Sequence, residues 1–135
     1  MTPGSVILAC VQQSDGQLKR RPAVVLALVP PYSDFLICGI SSKIRHVVHG
    51  FDDLIHRTDA DYASSGLRVD SLIRLGLLTT IPSSAVLGEL GEIAPERLAG
   101  LRRRLAEHLC PPTPASAEEP APAADDQPDA TRGEQ

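Results

Sequence analysis

Apolar residues come in short runs over the first ninety positions and change period only near position 95. Gly4 to Val11 is a run rich in Val and Ile, too short for a stable helix, and it predicts a strand. Ser14-Asp15-Gly16 is a turn signal. Pro22 to Val29 predicts a second strand, with the proline at its start, where a missing N–H does least damage. Pro30-Pro31-Tyr32-Ser33-Asp34 connects to a third strand, Phe35 to Ile40. Between Lys43 and Ser65 the pattern breaks down. Val47-Val48 is a candidate short strand, and 51–62 is charged and irregular, a loop with a turn or short helix. Leu67–Val69 and Leu72–Leu78 predict two more strands, Pro82-Ser83-Ser84 a turn, and Val86–Leu90 a last strand or a single helical turn. No internal repeat is present.

From Pro95 the period becomes helical. Proline suits the first helical position and Glu96 the positive end of the helix dipole. Leu98, Leu101, Leu105 and Leu109 recur at spacings of three and four, a single apolar stripe suited to core or dimer packing. Arg102, Arg103 and Arg104 fall on and beside the other face and read as solvated. Pro111-Pro112 forbids continuation. Short strands followed by one amphipathic helix predict a mainly β domain, a small curled antiparallel sheet closed by that helix.

Composition divides the chain. Of its 135 residues, the last 25, 111–135, contain six prolines, six acids and one arginine, with no Val, Ile, Leu, Phe or Tyr. Such a segment cannot bury enough apolar surface to offset its ordering entropy, so it reads as a disordered acidic tail behind a domain at 1–110. The net charge of −4 therefore belongs to the tail, and the domain is close to neutral with local basic clusters. Lys19, Arg20, Arg21, Lys43 and Arg45 form one of these, which permits a polyanion partner without requiring one. An acidic tail would compete with such a polyanion for them.

No apolar run is long enough to span a membrane, and the N-terminus lacks a signal-peptide pattern. Cys10, Cys38 and Cys110 are widely spaced. Cys10 and Cys38 sit inside apolar runs and read as buried, reduced thiols of a cytoplasmic protein. His46, His49 and His56 have no cysteine or carboxylate completing a metal-ligand pattern, so no metal or cofactor is expected.

Three passages carry a family resemblance. Gln17-Leu18-Lys19-Arg20-Arg21-Pro22-Ala23-Val24-Val25-Leu26 places a basic Arg-Pro pair before an apolar strand. Ile37-Cys38-Gly39-Ile40-Ser41-Ser42 ends a strand in Ile-Ser-Ser. Gly66-Leu67, Asp70-Ser71-Leu72-Ile73, Thr80-Ile81 and Leu87-Gly88-Glu89-Leu90 then precede the closing helix. In this order the chain resembles the PemK/MazF toxins of type II toxin–antitoxin systems. The resemblance implies an SH3-like barrel, a homodimer, an antitoxin partner, and an endoribonuclease that cleaves single-stranded mRNA without a metal.

The family's reactive arginine maps to Arg21 and its hydroxyl residue, a threonine there, to Ser41. Lys19, Arg20, Ser42, Lys43 and Arg45 are the implied RNA-binding residues. Metal-free cleavage requires the ribose 2′-OH to attack phosphorus in line. A guanidinium at 21 suits the developing phosphoryl charge, and the Ser41 hydroxyl can donate to a phosphoryl oxygen. The proton acceptor stays open. His46 and His49 follow Ser41 closely and are of the residue type that exchanges protons near neutrality.

The chain departs from the family at Gly4-Ser5-Val6, where an aspartate is usual, at Cys10-Val11-Gln12-Gln13, where an aromatic segment is usual, and at Ser41. It has only four aromatic residues, Tyr32, Phe35, Phe51 and Tyr62, which limits base stacking. A second reading therefore stands beside the first, a catalytically weak MazF-like barrel that binds RNA or peptide.

Overall fold

The computed structural model describes residues 1–13 and 15–111. The acidic segment from 112 onward, and with it the tail expected above, lies outside the described residues. The chain divides into two units, Met1–Leu105 and Ala106–Gln135.

Six strands form one antiparallel sheet: β1 (Ser5–Gln12), β2 (Leu18–Val29), β3 (Asp34–Ser41), β4 (Asp53–Ile55), β5 (Ser71–Ile81) and β6 (Gly88–Glu92). Their order is β4-β5-β3-β2-β1-β6. The sheet curls as a half-barrel of the expected SH3-like, mainly β type. A short helix, α1 (Tyr62–Ser65), precedes β5, and α2 (Pro95–Leu109) follows β6. Among the described residues no helix is long and apolar enough to cross a membrane.

The central strands are apolar on both faces, which is why they read as continuous runs rather than alternating ones. Val6, Val24, Leu26, Cys38, Ile40, Ile73 and Leu75 face one core, together with Leu101 of α2 and the flanking Leu98 and Leu105. Ile7, Ala9, Val11, Ala23, Val25, Phe35 and Ile37 fill the other. The curl is produced by bulges. Register shifts between Val25 and Ala27 on β2, and again between Cys38 and Ile40 on β3. At the second, Cys38 pairs with Leu78 and Ile40 with Ile73, so β5 advances five residues while β3 advances two.

Several sequence expectations need correction. Val47-Val48 is not a strand: the chain makes a 3₁₀ turn at Ile44–His46, and the strand of this region is β4, inside the segment read as a loop. Leu67–Val69 is irregular, and only the second of the two expected runs is a strand. Cys10 is exposed, because Ala9 and Val11 take the inward positions on either side of it. Cys38 is buried as expected, and burial pushes its thiol up to about 12. The leucine stripe ends at Leu105, since Leu109 is 73% exposed. Arg102 and Arg104 are not a simple solvated face: Arg102 Nε donates to the Leu26 carbonyl at 2.8 Å and Arg104 Nη1 to the Asp52 carbonyl at 2.5 Å, tying α2 down.

β6 is a sheet edge, and α1 covers it. A Cβ on Gly91 would lie 2.0 Å from the Ser64 carbonyl oxygen, and one on Gly66, at φ +75°, 2.2 Å from the Leu90 carbonyl oxygen. Glycine at both positions is what lets the two backbones touch. Gly91→Ala is expected to lower stability by about 1–3 kcal/mol through overpacking against a backbone that cannot yield. An unchanged denaturant midpoint would show that the contact is dispensable.

Candidate nucleic-acid interface

Strand alternation decides which basic residues gather. Lys19 and Arg21 are two apart on β2 and line one groove, which opens between the β3–β4 connection and the segment 66–71. Arg20, out of phase between them, pairs across the sheet with exposed Cys10 and does not line it. The groove has a volume of about 520 Å³. Of the other residues expected to act there, Ser41, Ser42 and Lys43 line it, whereas Arg45 does not. His46 lines it and His49 does not.

Arg21 stands opposite Ala9, and its Cδ would lie 3.4 Å from a Cβ on Gly39. The bare backbone at Gly39 makes room for it. Its Nη2 donates to Gln13 Oε1 at 2.5 Å and its Nη1 to the Ile40 carbonyl at 3.4 Å. Its Nε is buried with no hydrogen-bond partner. Ser41 follows Ile40 at the end of β3, and both it and Arg21 line the groove. Ser41 Oγ accepts the Lys43 backbone N–H at 3.1 Å.

Further residues of the groove were not singled out from the sequence pattern, Arg68, Arg74 and Gln13 among them. Arg74 lines it, carried there by the irregular stretch of β5 that passes Gly39. It is the one charge in Ser71–Ile81, and a lone exposed charge inside an apolar strand is the signal that marks it. Gln13 also lines the groove; nothing in its sequence context distinguishes it. A second hollow of about 350 Å³ adjoins, sharing Gln13 and Arg74 and extending to Thr79.

The electrostatics are one-sided. Lys19, Arg21, Lys43, Arg68 and Arg74 line the groove, and no Asp or Glu is among its described lining residues. Burial first, and repulsion from Arg74 second, lower the Arg21 pKa from its ordinary value. A cation held without a counter-ion next to another cation is stabilised by any anion that enters. Among the described residues no group of three or more His, Cys, Asp or Glu side chains is arranged to hold a metal ion.

This architecture is that of solved MazF toxins. The Mycobacterium tuberculosis toxin MazF-mt6 superposes with a TM-score of 0.54 at 16% identity, over 76% of this chain and 95% of that one. MazF from Deinococcus radiodurans gives 0.58 at 18% identity, over 81% and 96%. An endoribonuclease solved with its cognate antitoxin, from a mycobacterial species, gives 0.59 at 15% identity, over 84% and 99%. No curated protein matches the chain by sequence. The family model for the PemK-like, MazF-like toxin of type II toxin–antitoxin systems matches residues 2–109. The chain belongs to that family.

Proposed function

We propose that this protein is an endoribonuclease toxin that cleaves single-stranded RNA through its own 2′-OH groups, acting as a homodimer in the cytoplasm under the control of an antitoxin. The observation that carries the reading is the groove's charge: five Lys and Arg side chains line it together with Ser41, with no carboxylate among the described lining residues. Arg21 and Arg74 hold the scissile phosphate, and the two hollows that meet at Gln13 and Arg74 take the nucleotides on either side.

In the reaction the 2′-oxygen attacks phosphorus as its proton passes to His46, the histidine of the groove. The P–O5′ bond breaks, leaving a 2′,3′-cyclic phosphate. Arg21 and the Ser41 hydroxyl stabilise the phosphoryl oxygens, which bear most charge in the transition state. The departing 5′-oxygen takes its proton from water.

The test is incubation of the full-length protein with a long single-stranded RNA in EDTA. The expected products carry 2′,3′-cyclic phosphate and 5′-OH ends. RNA retained intact but bound would favour the binding-module reading, and RNA neither bound nor cut would remove both.

A further inference from the structure

Two half-buried arginines of this domain, Arg97 and Arg21, are held in opposite ways. Arg97 donates every N–H it has to three carboxylates and one carbonyl. Arg21 is held only by neutral oxygens, the Gln13 amide at 2.5 Å and the Ile40 carbonyl at 3.4 Å. A guanidinium has five N–H groups. Two of these are committed and the one on Nε is buried, so each Nη keeps one N–H uncommitted, the pair that forks onto a phosphate.

Gln13 is itself anchored. Its Nε2 donates to the Val11 carbonyl at 3.1 Å, and its backbone N–H donates to the Gln17 carbonyl at 2.7 Å across the β1–β2 turn. The amide therefore spans from the end of β1 to the guanidinium, and both of its ends are fixed. Its charge matters as much as its reach. A carboxylate of the same length would make the same bond, neutralise Arg21 and repel a phosphate. The amide orients the guanidinium and leaves its full charge available.

We infer that Gln13 is the positioning residue of Arg21, and that its neutrality is what keeps Arg21 able to bind a phosphate dianion or diester. The kinetic consequences of this inference rest on the nuclease reading; the anion affinity does not. Two substitutions separate orientation from charge. Gln13→Met removes the acceptor at similar volume, and kcat on single-stranded RNA is expected to fall about tenfold, with KM within about twofold, as expected when a group is misplaced rather than lost. Gln13→Glu retains the acceptor and adds a charge, and it is expected to weaken binding about tenfold or more, in KM and in affinity for inorganic phosphate, by pairing with Arg21.

Phosphate affinity is read on the full-length protein from the side-chain N–H resonances of ¹⁵N-labelled arginine, with Arg21 assigned by the signal missing in Arg21→Lys. A residue that merely anchors the hairpin predicts the reverse order, with Gln13→Glu close to wild type because the bond survives. That order, or equal phosphate affinity in Gln13→Glu and wild type, overturns the inference. Should the wild type cut no RNA while Gln13→Glu still loses phosphate affinity, the nuclease reading falls and the role of Gln13 stands. Should Gln13→Met fail to fold, the Gln13→Glu comparison decides alone.

Discussion

Arg21→Ala is expected to reduce RNA cleavage by about 10²–10³-fold while the domain stays folded. The fall follows from the position of the guanidinium. It is the most enclosed cation of the groove, and its side chain is the one that passes over Gly39 and bonds to the carbonyl beside Ser41. The small effect on stability follows from how poorly it is satisfied. Truncation removes two hydrogen bonds, one of them long, and also removes a buried Nε that has no partner. These contributions oppose each other, so the net change is expected within about 1 kcal/mol.

Arg21→Lys keeps the charge and loses the fork, so it should recover only part of the rate. Arg74→Ala should weaken RNA binding and lower the salt dependence of binding by about one phosphate contact. Initial rates on one RNA, with thermal melts of each variant, check the set. An Arg21→Ala protein that melts like wild type and cleaves at the wild-type rate would end the assignment of this site.

The elements legible in the sequence are those whose formation needs only their own residues. β1, β2 and β3 are runs of Val, Ile and Leu buried on both faces over their central residues, β5 is an apolar run that alternates beyond Ile73, and α2 carries its stripe and its proline start. β4 and α1 were not legible as such. β4 has a single buried residue, Ile55, and is held from outside, by pairing with β5 and through a side chain on α2. The groove was half legible for the same kind of reason. Arg21 and Ser41 sit at strand ends that the Arg-Pro and Ile-Ser-Ser passages mark. Alternation alone would have separated Lys19 from Arg20. Arg74 and Gln13 reach the groove through long-range register, a β5 bulge in one case and the β1–β2 turn in the other; the lone charge in β5 marks Arg74 as unusual, but short-range pattern does not say which surface either residue reaches.

The largest stability effect is expected at Arg97 of α2, whose acidic partners lie in the charged stretch 51–62 that reads as an irregular loop. Its Nη1 donates to Asp53 Oδ2 at 2.7 Å and to the Leu54 carbonyl at 3.0 Å. Its Nη2 donates to Asp59 Oδ2 at 2.9 Å and its Nε to Asp61 Oδ2 at 2.8 Å. Asp61 also accepts the Ala94 N–H at 2.9 Å, ahead of the first turn of α2. One side chain thus ties β4, the β4–α1 connection and the start of α2 together. Burial opposes the Arg97 charge, yet the bonds to Asp61 and Asp53 outweigh it and raise the Arg97 pKa.

Arg97→Met leaves three carboxylates facing one another without their cation. The expected cost is about 3 kcal/mol, the low end for a buried network because Asp59 keeps 32% of its side-chain exposure against 15% for Arg97. That loss corresponds to a drop of roughly 10 °C or more in melting temperature for a domain of this size. Arg97→Lys should restore only a minor part, because an ammonium cannot reach all three acids at once.

The pH dependence follows with a definite sign. The hydrogen bond from Arg97 holds the Asp61 pKa below its ordinary 3.8, against the opposing effect of burial. A group with a depressed folded pKa adds stability that is complete above the unfolded value and is lost as pH falls through the folded one. Wild-type stability should therefore drop steeply below about pH 4, and the curve for Arg97→Met should be flatter there, because its carboxylates no longer gain from ionising. If the two curves run parallel through that range, or if Arg97→Met melts within a degree or two of wild type, then the network does not hold β4 to α2, and the wall of the groove that follows α1 must be fixed by the Gly66–Leu90 and Gly91–Ser64 contacts alone.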